Sequence, residues 1–68
     1  MDRMTSTEIL TRDFLTTNSK IVKKSTIEEL SEIIHVSPAT IIRTVKKMGY
    51  SGFSEYKNGL INQRVSLN

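Results

Sequence analysis

The residues best suited to chemistry fall in one short run, Ser37-Pro38-Ala39-Thr40-Ile41-Ile42-Arg43-Thr44-Val45-Lys46-Lys47. Its polar members are hydroxyls and cations, not nucleophiles paired with bases. A guanidinium offers a rigid fork of N–H donors that can meet guanine O6 and N7 together, so Arg43 is the candidate for reading a base edge. Ala39 and Ile42 are apolar and could lie against thymine methyl groups. Ser37, Thr40 and the N–H groups at the start of the run suit phosphate oxygens. Pro38 shares the same outer face. Lys46 and Lys47 either meet backbone phosphates or stay solvated, and Thr40 either contacts phosphate or satisfies a local carbonyl.

Other chemistries lack their parts. The chain has 68 residues, no cysteine and one histidine, so a disulfide framework, a thiolate metal site and a histidine cluster are all excluded. It has no glycine-rich phosphate loop and no acid pair placed for general acid–base work. The reading is therefore a non-enzymatic one, with no cofactor and no metal.

Charge is uneven along the chain. The formal net charge is +3 and the pI about 9.5. Six acids, Asp2, Glu8, Asp13, Glu28, Glu29 and Glu32, lie in the first half. Beyond them only Glu55 faces Arg43, Lys46, Lys47, Lys57 and Arg64. A basic half of this kind attracts polyanions, or is simply a solvated lysine face. No apolar run approaches the roughly 18 residues that span a bilayer. The N-terminal MDRMTSTE lacks the apolar stretch of a signal peptide. A cytoplasmic protein with no membrane partner is expected, and the chain reads as a fragment of a longer one.

The elements that hold the run are marked by their caps. Thr5 and Glu8 have capping-box spacing and predict a helix over Ser6–Thr17, burying Ile9, Leu10, Phe14 and Leu15. A turn or short helix over Ser19–Lys24 places Ile21 and Val22 inward and Lys20, Lys23 and Lys24 outward. Thr26 and Glu29 repeat the box and open a helix over Ile27–Ile34, with Ile27, Leu30, Ile33 and Ile34 as one stripe. Ser37 as N-cap and Pro38 at the first position start a helix to about Met48, burying Ile41, Val45 and Met48. Gly49 should end it with positive φ. Ser54 caps a last helix from Glu55 to the Gln63 region, with Tyr56 and Leu60 inward and Gly59 as a weak point. No stretch alternates with period two, so the fold class is all-α, a compact bundle of about five short helices.

Only His35, Val36 and Ser37 separate the helix ending at Ile34 from the one starting at Pro38. So short a connection forces a steep crossing, the helix-turn-helix arrangement, with the second helix free to enter a major groove. Ser31 is small where that helix approaches, Val36 can plug the corner, and His35 is read as a turn residue that tolerates positive φ. The whole chain, 1–68, is then a single helix-turn-helix DNA-binding domain. The alternative is a protein-interaction module, which would need an exposed apolar patch around Ile42, Ile21 and Val22.

The residues that follow sharpen this reading. Gly49-Tyr50-Ser51-Gly52-Phe53-Ser54-Glu55-Tyr56-Lys57 resembles the glycine-aromatic-x-glycine-aromatic-x-acid-apolar-lysine stretch of the MurR/RpiR family. Ser25 to Leu30, Val36-Ser37, Ala39-Thr40-Ile41, Arg43, Asp13-Phe14-Leu15 and Asn18 to Val22 are also similar to that family's pattern. The resemblance implies a bacterial transcriptional regulator that binds palindromic operators near sugar-metabolism genes as a homodimer or higher homo-oligomer. It implies a separate C-terminal SIS domain, absent from these residues, that senses a phosphosugar. It carries DNA contact to Ser37, Thr40, Arg43, Lys47 and Lys57. Three positions depart from the pattern: His35 replaces a usual glycine, Ile42 a common small polar residue, and Ser19 a frequent proline. Tyr50 and Phe53 are expected to fold back onto the core and fix the last helix.

Overall fold

A computed structural model describes residues 3–62. It contains five α-helices in chain order: α1 (Ser6–Thr17), α2 (Ser19–Lys24), α3 (Ile27–Ile34), α4 (Pro38–Lys47) and α5 (Phe53–Asn62). No strand occurs among the described residues. The expected tail of the last helix near Gln63, and Arg64, lie outside them.

Both capping boxes form. In α1 the Thr5 hydroxyl accepts from the Glu8 N–H while the Glu8 carboxylate accepts from the Thr5 N–H. Thr26 and Glu29 do the same for α3. Each satisfies donors that a helix start otherwise leaves without partners. Before α4, the Ser37 hydroxyl accepts from the Thr40 N–H, and Pro38 fills the first helical position. Gly49 has φ +106°, and the N–H groups of Gly49 and Tyr50 turn back to the carbonyls of Lys46 and Val45. That pairing is a Schellman closure, which glycine at its left-handed position makes without steric cost.

The last helix begins earlier than its sequence indicates. Ser54 lies inside α5 and does not cap it. The first turn is closed by the Tyr56 N–H on the Gly52 carbonyl, with the Glu55 carboxylate accepting from the Ser51 N–H. That N–H holds the Glu55 carboxyl below its ordinary range.

One buried residue from each of α1, α2, α3 and α5 meets two from α4: Leu15, Val22, Leu30 and Tyr56 surround Ile41 and Val45. Phe14, Ile27, Ile34, Val36, Met48, Tyr50, Phe53 and Leu60 pack around this centre. Helix α4 touches α1, α3 and α5, and α5 also covers α2. Tyr50 and Phe53 fold back as expected, and Tyr50 meets Tyr56 edge-on with ring centroids 5.0 Å apart.

Several apolar residues face outward, contrary to expectation. Ile9 and Leu10 are exposed on α1, Leu10 at 65%. The buried side of α1 is Glu8, Thr11 and Leu15. With about 100° between successive helical residues, turning Glu8 inward puts Leu10 on the opposite side. Ile21 on α2 and Ile33 on α3 are exposed too, while Val22 and Leu30 on the same helices are fully buried.

Candidate nucleic-acid interface

Three residues make the corner before α4. His35 adopts φ 68°, the left-handed conformation in which a glycine is unstrained. The His35 and Val36 N–H groups both return to the Ser31 carbonyl, at 2.9 and 3.0 Å. Ser31 turns its own hydroxyl to the Glu28 carbonyl. Val36 is half-buried against the core and fixes the corner from inside. Helices α3 and α4 therefore form the expected helix-turn-helix.

The inner face of α4 is Thr40, Ile41, Thr44 and Val45, all buried. Thr44 satisfies its hydroxyl on the Thr40 carbonyl at 2.7 Å. The outer face brings together Ser37, Pro38, Ala39, Ile42, Arg43 and Lys46, all exposed. Thr40 lies apart from them, its hydroxyl 3.0 Å from that of Ser37. The start of α4 offers fewer free donors than its position implies. Pro38 has no N–H, and the Thr40 N–H is taken by Ser37. Among the first three helical residues, only Ala39 keeps a free N–H.

Two cations of α4 converge on one acid of α1. Arg43 Nε donates to Glu8 Oε2 at 3.1 Å, and Lys47 Nζ donates to Glu8 Oε1 at 2.9 Å. Lys47 also donates to the Arg3 carbonyl at 3.0 Å. Glu8 is 1% exposed, whereas the Arg43 side chain remains 59% exposed. The Lys47 hydrogen bond, then the Thr5 N–H, then Arg43 favour the carboxylate, and burial opposes them only in part. Its pKa falls from the ordinary 4.5 to about 2. Glu8 was legible in the sequence as a capping residue only. The signal for its second role was an acid in register with Thr11 and Leu15, a stripe that the apolar pattern passed over.

Lys57 stands elsewhere. Its ammonium donates to the Ser25 carbonyl at 2.7 Å and lies 5.9 Å from the Phe53 ring centroid. It thus ties α5 to the junction between α2 and α3. The apolar patch required by the protein-docking alternative is incomplete, since Ile42 and Ile21 are exposed but Val22 is fully buried.

A family model described as a helix-turn-helix domain of the rpiR family matches residues 1–66. The chain belongs to that family. No curated protein and no solved structure gave a match. As an rpiR-family helix-turn-helix domain the chain is a DNA-binding module of transcription regulation. No helix among the described residues is long and apolar enough to cross a membrane. The described residues contain no cluster of metal-ligating side chains.

Proposed function

We propose that this domain reads duplex DNA sequence-specifically, with α4 in the major groove. The observation that carries this reading is the outer face of α4, where Arg43 is held at its base yet largely exposed between Ala39, Ile42 and Lys46. Arg43 reads guanine, and Ala39 and Ile42 meet thymine methyls. Ser37, the Ala39 N–H, Lys46 and Lys47 meet phosphates, with Pro38 and Thr40 shaping the helix start. Lys57 reaches phosphate with the ammonium N–H groups that Ser25 leaves free. The domain acts as a dimer, so that two α4 helices enter successive major grooves about 34–36 Å apart on a palindromic site.

In this reading the domain is the non-enzymatic, cytoplasmic DNA-reading part of a bacterial regulator. A separate SIS domain senses a phosphosugar and controls sugar-metabolism genes. The resemblance in Gly49 to Lys57, together with family membership, supports this assignment.

The test is selection of bound duplexes from a random pool, followed by a salt titration on the selected sequence. Log K should fall linearly with log salt, by about 0.9 for each phosphate contact. The selected sequence should contain paired half-sites. A flat salt dependence, or a pool that yields no common sequence, would overturn the reading.

A further inference from the structure

An acid beside a DNA-reading helix is at first sight unfavourable, because it cancels positive charge that attracts phosphate. Glu8 is such an acid. It is buried, comes from a different helix, and lies against two cations of α4, Arg43 and Lys47. Three donors converge on its carboxylate: the Thr5 N–H and Lys47 on Oε1, and Arg43 on Oε2. The capping box fixes its position at the first turn of α1, so the carboxylate is a stationary anchor and not a mobile counter-charge.

The way it holds Arg43 is selective. A guanidinium can meet guanine either through Nη1 and Nη2 together or through Nε with one Nη, since all five N–H groups lie in one plane. Glu8 occupies Nε. Among the described residues neither Nη has a partner. The side-on approach is blocked, and the end-on pair remains.

Resting on the DNA-binding reading above, we propose that Glu8 is a positioning residue that sets base specificity. It holds Arg43 by Nε so that only the Nη1–Nη2 end faces the base, and this orientation exists before DNA arrives. An arginine ordered in advance loses less rotamer freedom on binding, and its fork is limited to one approach. The carboxylate also restrains non-specific attraction, because it offsets charge that would otherwise serve any phosphate.

The experiment uses the 68-residue chain, a duplex selected from a random pool, its single-base variants and a scrambled duplex, with binding read by fluorescence anisotropy. Arg43→Ala identifies the base pair that Arg43 reads. A good bidentate pair discriminates there on the order of 10- to 100-fold. Glu8→Gln should reduce that discrimination about tenfold and leave affinity for the scrambled duplex unchanged or higher. Adding Arg43→Ala to Glu8→Gln should cost much less discrimination than Arg43→Ala alone, because both changes remove one interaction.

A purely architectural role predicts a different pattern. Selected and scrambled duplexes would weaken equally, or discrimination would persist in Glu8→Gln while Arg43→Ala abolishes it. Either result overturns the proposal and leaves DNA binding standing. A wild-type chain that prefers no sequence would instead overturn the parent reading. Should Glu8→Gln fail to fold, the NMR signal of the Arg43 Nε–H in the wild type decides. It should be ordered in the free domain and keep its Glu8 bond on DNA. A signal as mobile as that of an unrestrained arginine, or a bond released on binding, refutes the positioning role.

Discussion

Lys46 and Lys57 are both lysines of the basic half, yet their surroundings predict different behaviour on truncation. Lys46 is exposed, and its ammonium has no partner among the described residues. Lys57 already bonds the Ser25 carbonyl at 2.7 Å and borders the Phe53 ring. If Lys46 meets one phosphate, Lys46→Ala should flatten the slope of log K against log salt by about 0.9. Between about 50 and about 200 mM salt, that amounts to a roughly three- to fourfold smaller loss of affinity than in the wild type. Stability should stay within about 0.5 kcal/mol, since nothing packs on this side chain. Lys57→Ala should act on stability as well. It removes a charged hydrogen bond between elements and costs about 1 kcal/mol after allowance for its partial exposure, while the salt slope changes by less than for Lys46→Ala. Anisotropy titrations at four or more salt concentrations, paired with urea denaturation, separate the two effects. A Lys57→Ala chain that flattens the slope as much as Lys46→Ala without loss of stability, or a Lys46→Ala chain with an untouched slope, refutes these assignments.

Acid should weaken the fold through Glu8. Its folded pKa of about 2 lies below its ordinary 4.5, so its contribution is complete above 4.5 and is lost as pH falls toward 2. Urea midpoints measured across that window should fall in the wild type and fall less in Glu8→Gln; parallel curves would count against the ion triad. Gly59→Ala should stabilise the domain by about 1 kcal/mol, because the position is helical and an added Cβ would meet only the Tyr50 ring, at 3.9 Å. A lower melting temperature would mean that α5 is held differently. His35→Gly should also raise the melting temperature, by relief of a left-handed conformation worth about 0.5–1 kcal/mol, with helix content by circular dichroism unchanged.

Most of the fold was legible because its markers are local. The bounds of α1, α2 and α3 follow from Thr5–Glu8, Asn18-Ser19 and Thr26–Glu29, whose hydrogen bonds close within a few residues. Ser37-Pro38 and Gly49 bracket α4 for the same reason, with its end one residue short of the expected Met48. The start of α5 was less legible. Ser54 looked like a cap, but the glycine before Phe53 already closes the turn. The outward face of α4 followed from periodicity, and Pro38, Ala39, Ile42, Arg43 and Lys46 do share it, but Lys47, expected there as well, is half-buried and turned to Glu8.

What the sequence concealed is which side of α1 turns inward. An apolar stripe predicts burial only when every buried residue is apolar, and here one of them is a carboxylate. Its burial requires donors that lie 35 and 39 residues further along the chain. A buried acid without partners would be strongly disfavoured, so α1 docks with Glu8 inside only where the cations of α4 pair with it. The same two cations belong to the helix proposed to read DNA. Docking of α1 and orientation of Arg43 are thus coupled, and a domain this small, with six buried apolar core residues among those described, has the least room to separate them. A substitution at Glu8 should therefore act on stability and on base preference together, in a proportion set by how much of the Arg43 fork it releases.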